Sequence, residues 1–495
     1  MIIRSRKRRV AIISHLNVLV WCVMSCMVTG NAMAMGDGCV PDDVPDVAIP
    51  RLFNAVPYQI ATKGWSVSDS MNQHFTNQKK LLASLADIST VSTPMHNVSL
   101  ASVGDIMRMP TEQPFFVDEK VNRHLGAIDI VLGNLETLIS PSYELPPESL
   151  FMMNSDPTLL SAFRREDGSN IFSALSLANN HIYDYPDDAI DDTVDLLEKL
   201  GIQHNGVVIE GASTPYTVVE VEGVSVGYYA VTTFVNDVGA LEKSARPINP
   251  ILEGLAMVPY LQWQEPCSLD YSPIKNALAQ MDKNGIDFKI ISIHWGVEHD
   301  MYPQPKQMQI ARELMRLGAD VVVGAHTHVP QPAEVCFFNG YEKLFPQLTV
   351  SGNEYQCLMN TPDGKPRKSM VYYSLGNFTS YTPFFWQQLG TIAELSLDKS
   401  ESGDVDWHSP QYTYTYDYTF NPPHGAQKLT LLDESGEYCP WDFCVNDVSE
   451  LAGYPRRHME GPGLGLFDQW KISGLTAINS IGAMIKWKSF RDTPK

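Results

Sequence analysis

Five short strings in this chain carry side chains that hold cations or move protons. They are Gly104-Asp105, Gly133-Asn134-Leu135-Glu136, Asn179-Asn180-His181, His294-Trp295-Gly296-Val297-Glu298 and Gly324-Ala325-His326-Thr327-His328. Together they supply carboxylates, carboxamides and imidazoles, the ligand types of Zn, Mn or Fe at a hydrolytic centre. Taken singly, each is weak. A Gly-Asp after a strand is more often a turn, and an Asn pair tolerates left-handed backbone in turns. A lone His at a strand end is more often hydrogen-bonded structure. His326-x-His328 is stronger, because alternation along an extended segment would put both imidazoles on one side of it.

Each string follows or ends an apolar run that reads as a buried strand: Val98–Val103, Ile128–Leu132, Phe172–Leu177, Phe288–Ile293 and Asp320–Val323. In an open α/β sheet the carboxyl ends of the strands line the ligand crevice, so the strings converge there. Helical patterns lie between the strands. Asp188–Leu200 places Ile190, Val194, Leu197 and Leu200 on one face before Gly201, and Gln307–Leu317 places Ile310, Ala311, Leu314 and Leu317 together before Gly318. Thr217–Val221 and Val224–Tyr228 flank Glu222-Gly223, a hairpin signal. Strand–helix alternation with hairpins predicts an α/β fold with a mixed sheet.

At 495 residues, 44% hydrophobic and 19% charged, the composition is globular and rules out wholesale disorder or coiled coil. With 57 acidic against 36 basic side chains, the chain lacks the cations that counterion release on nucleic acid needs, so no nucleic-acid partner is expected. Arg4, Arg6, Lys7, Arg8 and Arg9 precede an apolar run from Val10 to Val28, which ends at the small-x-small pattern Ala32-Met33-Ala34. Residues 1–34 read as a signal peptide, with an uncleaved N-terminal membrane anchor as the alternative. The protein is therefore expected to be exported, at a periplasmic or extracellular face. Cleavage would remove five basic groups and no acid, leaving 31 basic against 57 acidic and a charge of −26. An even set of six cysteines remains, which in an exported chain predicts disulfides. Short loops favour Cys336–Cys357 and Cys439–Cys444, leaving Cys39–Cys267 by elimination.

Three stretches break the pattern. Residues 35–95 form a weakly periodic N-terminal segment, 236–275 carry five prolines between core elements, and 385–495 follow the last predicted core strand. In the last of these, Tyr412, Tyr414, Tyr416 and Tyr418 share one face of a strand. Packing against a neighbouring sheet is favoured there over binding sugar rings. Leu475, Ile478, Ile481 and Ile485, beside Lys486 and Lys488, form a basic amphipathic stretch. It suits docking on the core, with peripheral membrane contact as the alternative.

Six ordered motifs give the chain a family resemblance. Ser102–Met107, Asn134–Glu136, Ala178–Asp184, His294–Glu298, Gly318–Val329 and Tyr373–Phe378 are similar, in order and spacing, to the CapA family of capsule and poly-γ-glutamate biosynthesis proteins. The match covers residues 97–383, interrupted by insertions at 236–275 and 337–368. The resemblance implies an α/β, calcineurin-like metallophosphoesterase fold over 96–384. That is a four-layer sandwich of mixed β-sheets flanked by helices, here with a C-terminal extension over 385–495. It also implies roles. Asp105 and His328 match ligands of a first metal, and Asn180, His294 and His326 those of a second. The bridging carboxylate falls at Asn134 or Glu136, and only Glu136 keeps a charge, so the bridge is expected there. Met107 stands where a histidine of the first metal would be, and a thioether is a poor ligand for a hard cation. One firmly held divalent metal (Mn, Zn or Fe) is expected, with a second weak or absent. His181 matches the histidine that protonates the leaving group. Asn134, Asn179, Glu298 and His299 are the candidates for substrate contacts, and for Glu298 and His299 a solvated loop is the competing reading.

Two functions compete. In one, an exported metal-dependent hydrolase cuts a phosphoester, or an amide in an anionic envelope polymer such as poly-γ-glutamate. Water acidified by the metal attacks, and His181 acts as general acid. In the other, a degenerate metallophosphatase scaffold binds polymer without catalysis, as an assembly or export partner in a capsule-synthesis complex. A charge of −26 repels a polyanion, so either function needs a local positive patch or bridging cations. In a third reading the polar strand ends merely cap helices.

Overall fold

The strand β1 (His96–Ile106) shows how the sequence builds the layers. In the computed structural model its Val98 and Leu100 enter one core, while Ala101 and Val103 enter another. This is the two-residue alternation of a strand covered on both faces. The structure describes residues 69–109, 115–145, 152–208, 211–237, 240, 243–246, 248–249, 269–296, 298, 302–345, 348, 357–380, 387–420 and 426–431. All of these belong to one compact unit, Asp42–Lys495.

The remaining strands are β2 (Phe115–Val117), β3 (Ile130–Leu135), β4 (Ala174–Ser176), β5 (Gln203–Asn205), β6 (Thr217–Val221), β7 (Val224–Thr232), β8 (Phe288–His294) and β9 (Val321–Ala325). They continue with β10 (Ala333–Phe338), β11 (Cys357–Met359), β12 (Arg367–Tyr372), β13 (Asn377–Thr379), β14 (Leu389–Lys399), β15 (Val405–Phe420) and β16 (Ala426–Leu431). The helices are α1 (Asp69–Ala83), α2 (Glu119–Gly126), α3 (Thr158–Ser161), α4 (Asp187–Lys199), α5 (Ser272–Lys283) and α6 (Pro305–Leu317). One sheet runs β2-β16-β15-β14-β1-β3-β4-β5, with β13 beside β1; the other runs β11-β10-β12-β9-β8-β7-β6. Both mix parallel and antiparallel pairs.

The packing gives four layers. Between the sheets lie Val98, Leu100, Ile130 and Leu132 of the first, against Val226, Ile290, Val321 and Val335 of the second. Outside the first sheet, Val121 and Leu125 of α2 and Ile190 and Leu197 of α4 pack on Ala101, Val103 and Val131. Outside the second, Ile274 and Leu278 of α5 and Ile310 and Leu314 of α6 cover Tyr229, Ile291 and Val322. The α/β four-layer sandwich expected from the resemblance is the observed architecture.

Segments flanking the expected core take part in it. Leu81, Leu82 and Leu85, in and just after α1, and Leu395, Leu397 and Trp407 from β14 and β15 join the core between the sheets. His74 of α1 meets Glu334 at 2.7 Å, and Glu334 also takes a paired contact from Arg312 of α6 and the Tyr373 hydroxyl. Tyr412 packs edge-on against Tyr372 of the other sheet, with ring centroids 5.8 Å apart, as the packing reading of the tyrosine stripe expects. Cys336 and Cys357 form the expected disulfide and tie β10 to its neighbour β11. The other two expected disulfides, the N-terminal export segment and the 475–488 stretch lie outside the described residues. Among the described residues no helix is long and apolar enough to cross a membrane.

Candidate metal centre

Parallel pairing brings the strings together. Asp105 at the end of β1 is in register with Asn134 of β3 on one side and Asn377 of β13 on the other. Across the sandwich, His294 ends β8 in register with Ala325 of β9. The approach is tight: a Cβ on Gly104 would stand 1.9 Å from the Gly376 carbonyl oxygen, so only glycine fits before Asp105.

At the centre are two buried carboxylates. Asp105 accepts from the Asn134 amide at 2.8 Å and from the His326 backbone N–H at 3.0 Å. Glu136 lies 3.4 Å from His294 Nε2 and 3.8 Å from His328 Nδ1. Two groups of possible ligand atoms form, Asp105–Glu136–His294 and Glu136–His326–His328, with the atoms of each within 4.8 Å of one another. Glu136 belongs to both.

His326 and His328 meet by another route than the one expected. Strand β9 ends at Ala325, and both histidines have left-handed backbone, with φ of 89° and 59°. The strand alternation predicted for His326-x-His328 is thus replaced by a turn, costing about 1–3 kcal/mol per strained residue. Their rings still stand 5.8 Å apart, and His326 is 4.7 Å from the His294 ring.

His294 Nε2 meets Asn180 Oδ1 at 2.8 Å, and its Nδ1 meets the Asn134 amide at 3.2 Å. His181 Nδ1 donates to Asp184 Oδ2 at 2.7 Å, and that same oxygen accepts the Met153 N–H. The Asn236 amide lies 3.3 Å from His181 Nδ1, and Asn236 Oδ1 accepts from Asn180 at 3.3 Å. Asn179 uses its amide on backbone, donating to Leu135 and accepting from His181. Glu298 is half-buried and close enough to act electrostatically on His328 and His181; His299 lies outside the described residues.

Asp184, Asn236, Asn377 and Phe234 join the site without having been singled out from sequence. Phe234 sets its ring edge-on to His326 at 4.6 Å. Asp184 and Asn377 sit inside the family motifs, so the signal was present without a partner to give it meaning. Asn236 opens a stretch read as an insertion.

The electrostatics favour a cation. Burial, then the Asp105 charge, push the Glu136 carboxyl well above its usual range. Burial works the same way on Asp105, but a hydrogen bond and the charge of His328 outweigh it and hold that group below. Burial depresses His294 to about 3, which leaves it neutral and ligand-competent. Burial also opposes charge on His328, yet Glu136 and Asp105 lift it to about 10. Glu136 is where a cation fits: both its carboxylate oxygens, and Asn134 Oδ1, are buried without a hydrogen-bond donor. Buried polar atoms of this kind are rare unless an ion or water serves them. The donor set fits a divalent cation.

The family model described as bacterial capsule synthesis protein PGA_cap matches residues 97–382. The capsule biosynthesis protein CapA of Bacillus anthracis is 27% identical over 297 residues, covering 57% of this chain and 59% of that protein. The PGA biosynthesis protein CapA of Bacillus subtilis is 25% identical over 333 residues, covering 65% and 73%. The match therefore spans less than two thirds of the B. anthracis relative. Among solved structures, a hypothetical protein of Thermus thermophilus aligns over 64% of this chain and 98% of its own, at 17% identity and a TM-score of 0.32. The NAD nucleotidase of Haemophilus influenzae aligns over 80% and 68%, at 14% identity and 0.33.

Proposed function

Given that this chain belongs to the bacterial capsule synthesis family PGA_cap, we propose that it is an exported metal-dependent hydrolase acting in the making or trimming of an anionic envelope polymer of the poly-glutamate kind. The observation that carries this reading is Glu136, buried, shared by both ligand groups and without a donor to either oxygen. Asp105, Glu136, Asn180, His294, His326 and His328 would hold one divalent cation firmly and a second less so. Such a cation supplies Lewis acidity and acidifies bound water.

The chain's own residues then divide the work. His181 gives its Nδ1–H to Asp184, which fixes the tautomer and leaves Nε2 to carry a proton to the leaving nitrogen or oxygen. Asn236, just beyond β7, braces Asn180 beside His181: its Oδ1 accepts from the Asn180 amide and its backbone N–H donates to the Asn180 carbonyl. Phe234 sets its ring edge-on against His326 and so limits where that imidazole can turn. The positive charge that an anionic substrate needs would come from the cation itself, because the net charge is −21 for the whole chain and −26 once residues 1–34 are removed.

Met107 favours a second reading, a polymer-binding scaffold without catalysis, since a thioether adds no ligand for a hard cation. One comparison separates the two. His181→Ala is assayed for shortening of a γ-linked glutamate polymer and for hydrolysis of a small phosphoester. Loss of both activities with metal content unchanged supports the hydrolase. A wild type that binds the polymer but cleaves neither substrate leaves the scaffold reading.

A further inference from the structure

Oxygens from two strands and from the residue just after a third converge on one nitrogen. His328 Nδ1 lies 3.0 Å from Asn377 Oδ1, 3.5 Å from Asp105 Oδ2 and 3.8 Å from Glu136 Oε2. Each of these residues is at most 6% exposed. A single N–H makes a good bond to one acceptor and leaves the others facing each other. A cation on the nitrogen lone pair serves them all. With metal–ligand bonds of about 2.0–2.2 Å, neighbouring ligand atoms stand roughly 3.0–3.6 Å apart, close to the separations observed.

The orientation of Asn377 is set separately. Its Nδ2 donates to the Gln387 carbonyl at 2.8 Å, so Oδ1 is the atom turned towards His328. Asn377 flanks Asp105 on β13 as Asn134 flanks it on β3. Gly376 delivers it there with φ of 69°, where a Cβ would stand 2.7 Å from the Leu389 carbonyl oxygen.

We propose that Asn377 Oδ1 is a direct ligand of the cation on the Asp105–His328 side of the centre. This rests on the metal-centre reading and completes it. That side then has one nitrogen and three oxygens, with no donor required from Met107. An oxygen-rich set of this kind suits Mn²⁺, whereas the imidazoles of His294 and His326 suit Zn²⁺ or Fe²⁺ on the other side.

The rival role is indirect, with Asn377 accepting the His328 Nδ1–H and only orienting that ring. A double-mutant cycle with Mn²⁺ titration to millimolar concentration tells the two apart, with folding of each variant checked by thermal unfolding in chelator. Asn377→Ala is expected to weaken Mn²⁺ binding about 100-fold, the top of the range for an outer-shell partner. In the His328→Ala background it should weaken binding again. Asn377→Asp, which keeps an oxygen and adds charge, should bind at least as tightly as wild type and should tighten binding in the His328→Ala background too. If both Asn377 substitutions have no effect once His328 is gone, the residue acts only through that ring and the proposal is overturned. The same holds if Asn377→Ala binds like wild type. A wild type that binds no divalent cation overturns the metal-centre reading instead, and this inference with it.

Discussion

At Glu136, burial and charge pull against each other. A carboxyl with no donor to either oxygen destabilises the fold unless a cation compensates. Glu136→Gln should therefore raise the stability of chelator-treated protein by about 1–3 kcal/mol, read by denaturant unfolding, while removing the metal. A drop in chelated stability would show that Glu136 is satisfied by protein groups alone. Asp184 makes the opposite case. Its Oδ2 binds both the His181 ring and the Met153 backbone. Asp184→Asn should leave metal content unchanged and lower kcat by about 10²–10⁴-fold, the range of general acid catalysis. Unchanged turnover would remove His181 from the proton path. The Asp184–His181 contact spans only three residues, yet it depends on a turn whose shape the residue types alone do not announce.

At the scale of elements, much of the plan was legible. The hydrophobic runs ending in Asp105, Asn134, His294 and Ala325 mark β1, β3, β8 and β9 to within about three residues, because strands covered on both faces read as continuous apolar runs. Helices α4 and α6 were legible from their stripes and the glycines after them. The left-handed turn at His326 and His328 was not, since nothing in a histidine's identity announces positive φ. Contacts between elements give two more tests. His124 of α2 meets Glu394 of β14 at 2.9 Å. The hydrogen bond to Glu394 raises the imidazole above its ordinary 6.5, and despite burial the histidine holds the carboxyl below 4.5. The pair's stabilisation is complete between those two values. It fades as pH falls through the lowered glutamate pKa, and again as pH rises through the raised histidine pKa. Glu394→Gln should lose about 0.5–1 kcal/mol near pH 6 and less at either extreme, in unfolding measured across pH. A pH-independent loss would contradict the pairing. Arg312→Met leaves Glu334, which Arg312 and His74 hold low against burial, with its main countercharge gone. It should destabilise by about 3–5 kcal/mol in denaturant unfolding, and a loss below about 1 kcal/mol would refute this.

The whole molecule is larger than its family match. Residues 97–382 carry the site, yet the core between the sheets also takes Leu81, Leu82 and Leu85 from the N-terminal side and Leu395, Leu397 and Trp407 from the C-terminal side. Each buried side chain of this size contributes about 1.5–3 kcal/mol. Strand β14 also pairs with β1 from His96 to Ser102, beside the strand end that bears Asp105. A fragment of residues 97–382 should therefore fail to fold, seen as loss of a cooperative thermal transition; a fragment that melts like the full chain would show these flanks to be dispensable. Weak periodicity in 35–95, and position after the last motif in 385–495, hid these contributions from a sequence reading. The amphipathic face of α1 and the alternation of β14 acquire partners only once both sheets exist.

On the proposed function, strand ends scattered from Asp105 to His328 meet around a cation bridged by Glu136. Elemental analysis after equilibrium dialysis against Mn²⁺ and Zn²⁺ tests it most directly, with wild type and Glu136→Gln side by side. At least one bound ion per wild-type chain is expected, and a small fraction of that in the variant. Equal metal in the two proteins, or none in the wild type, would contradict it.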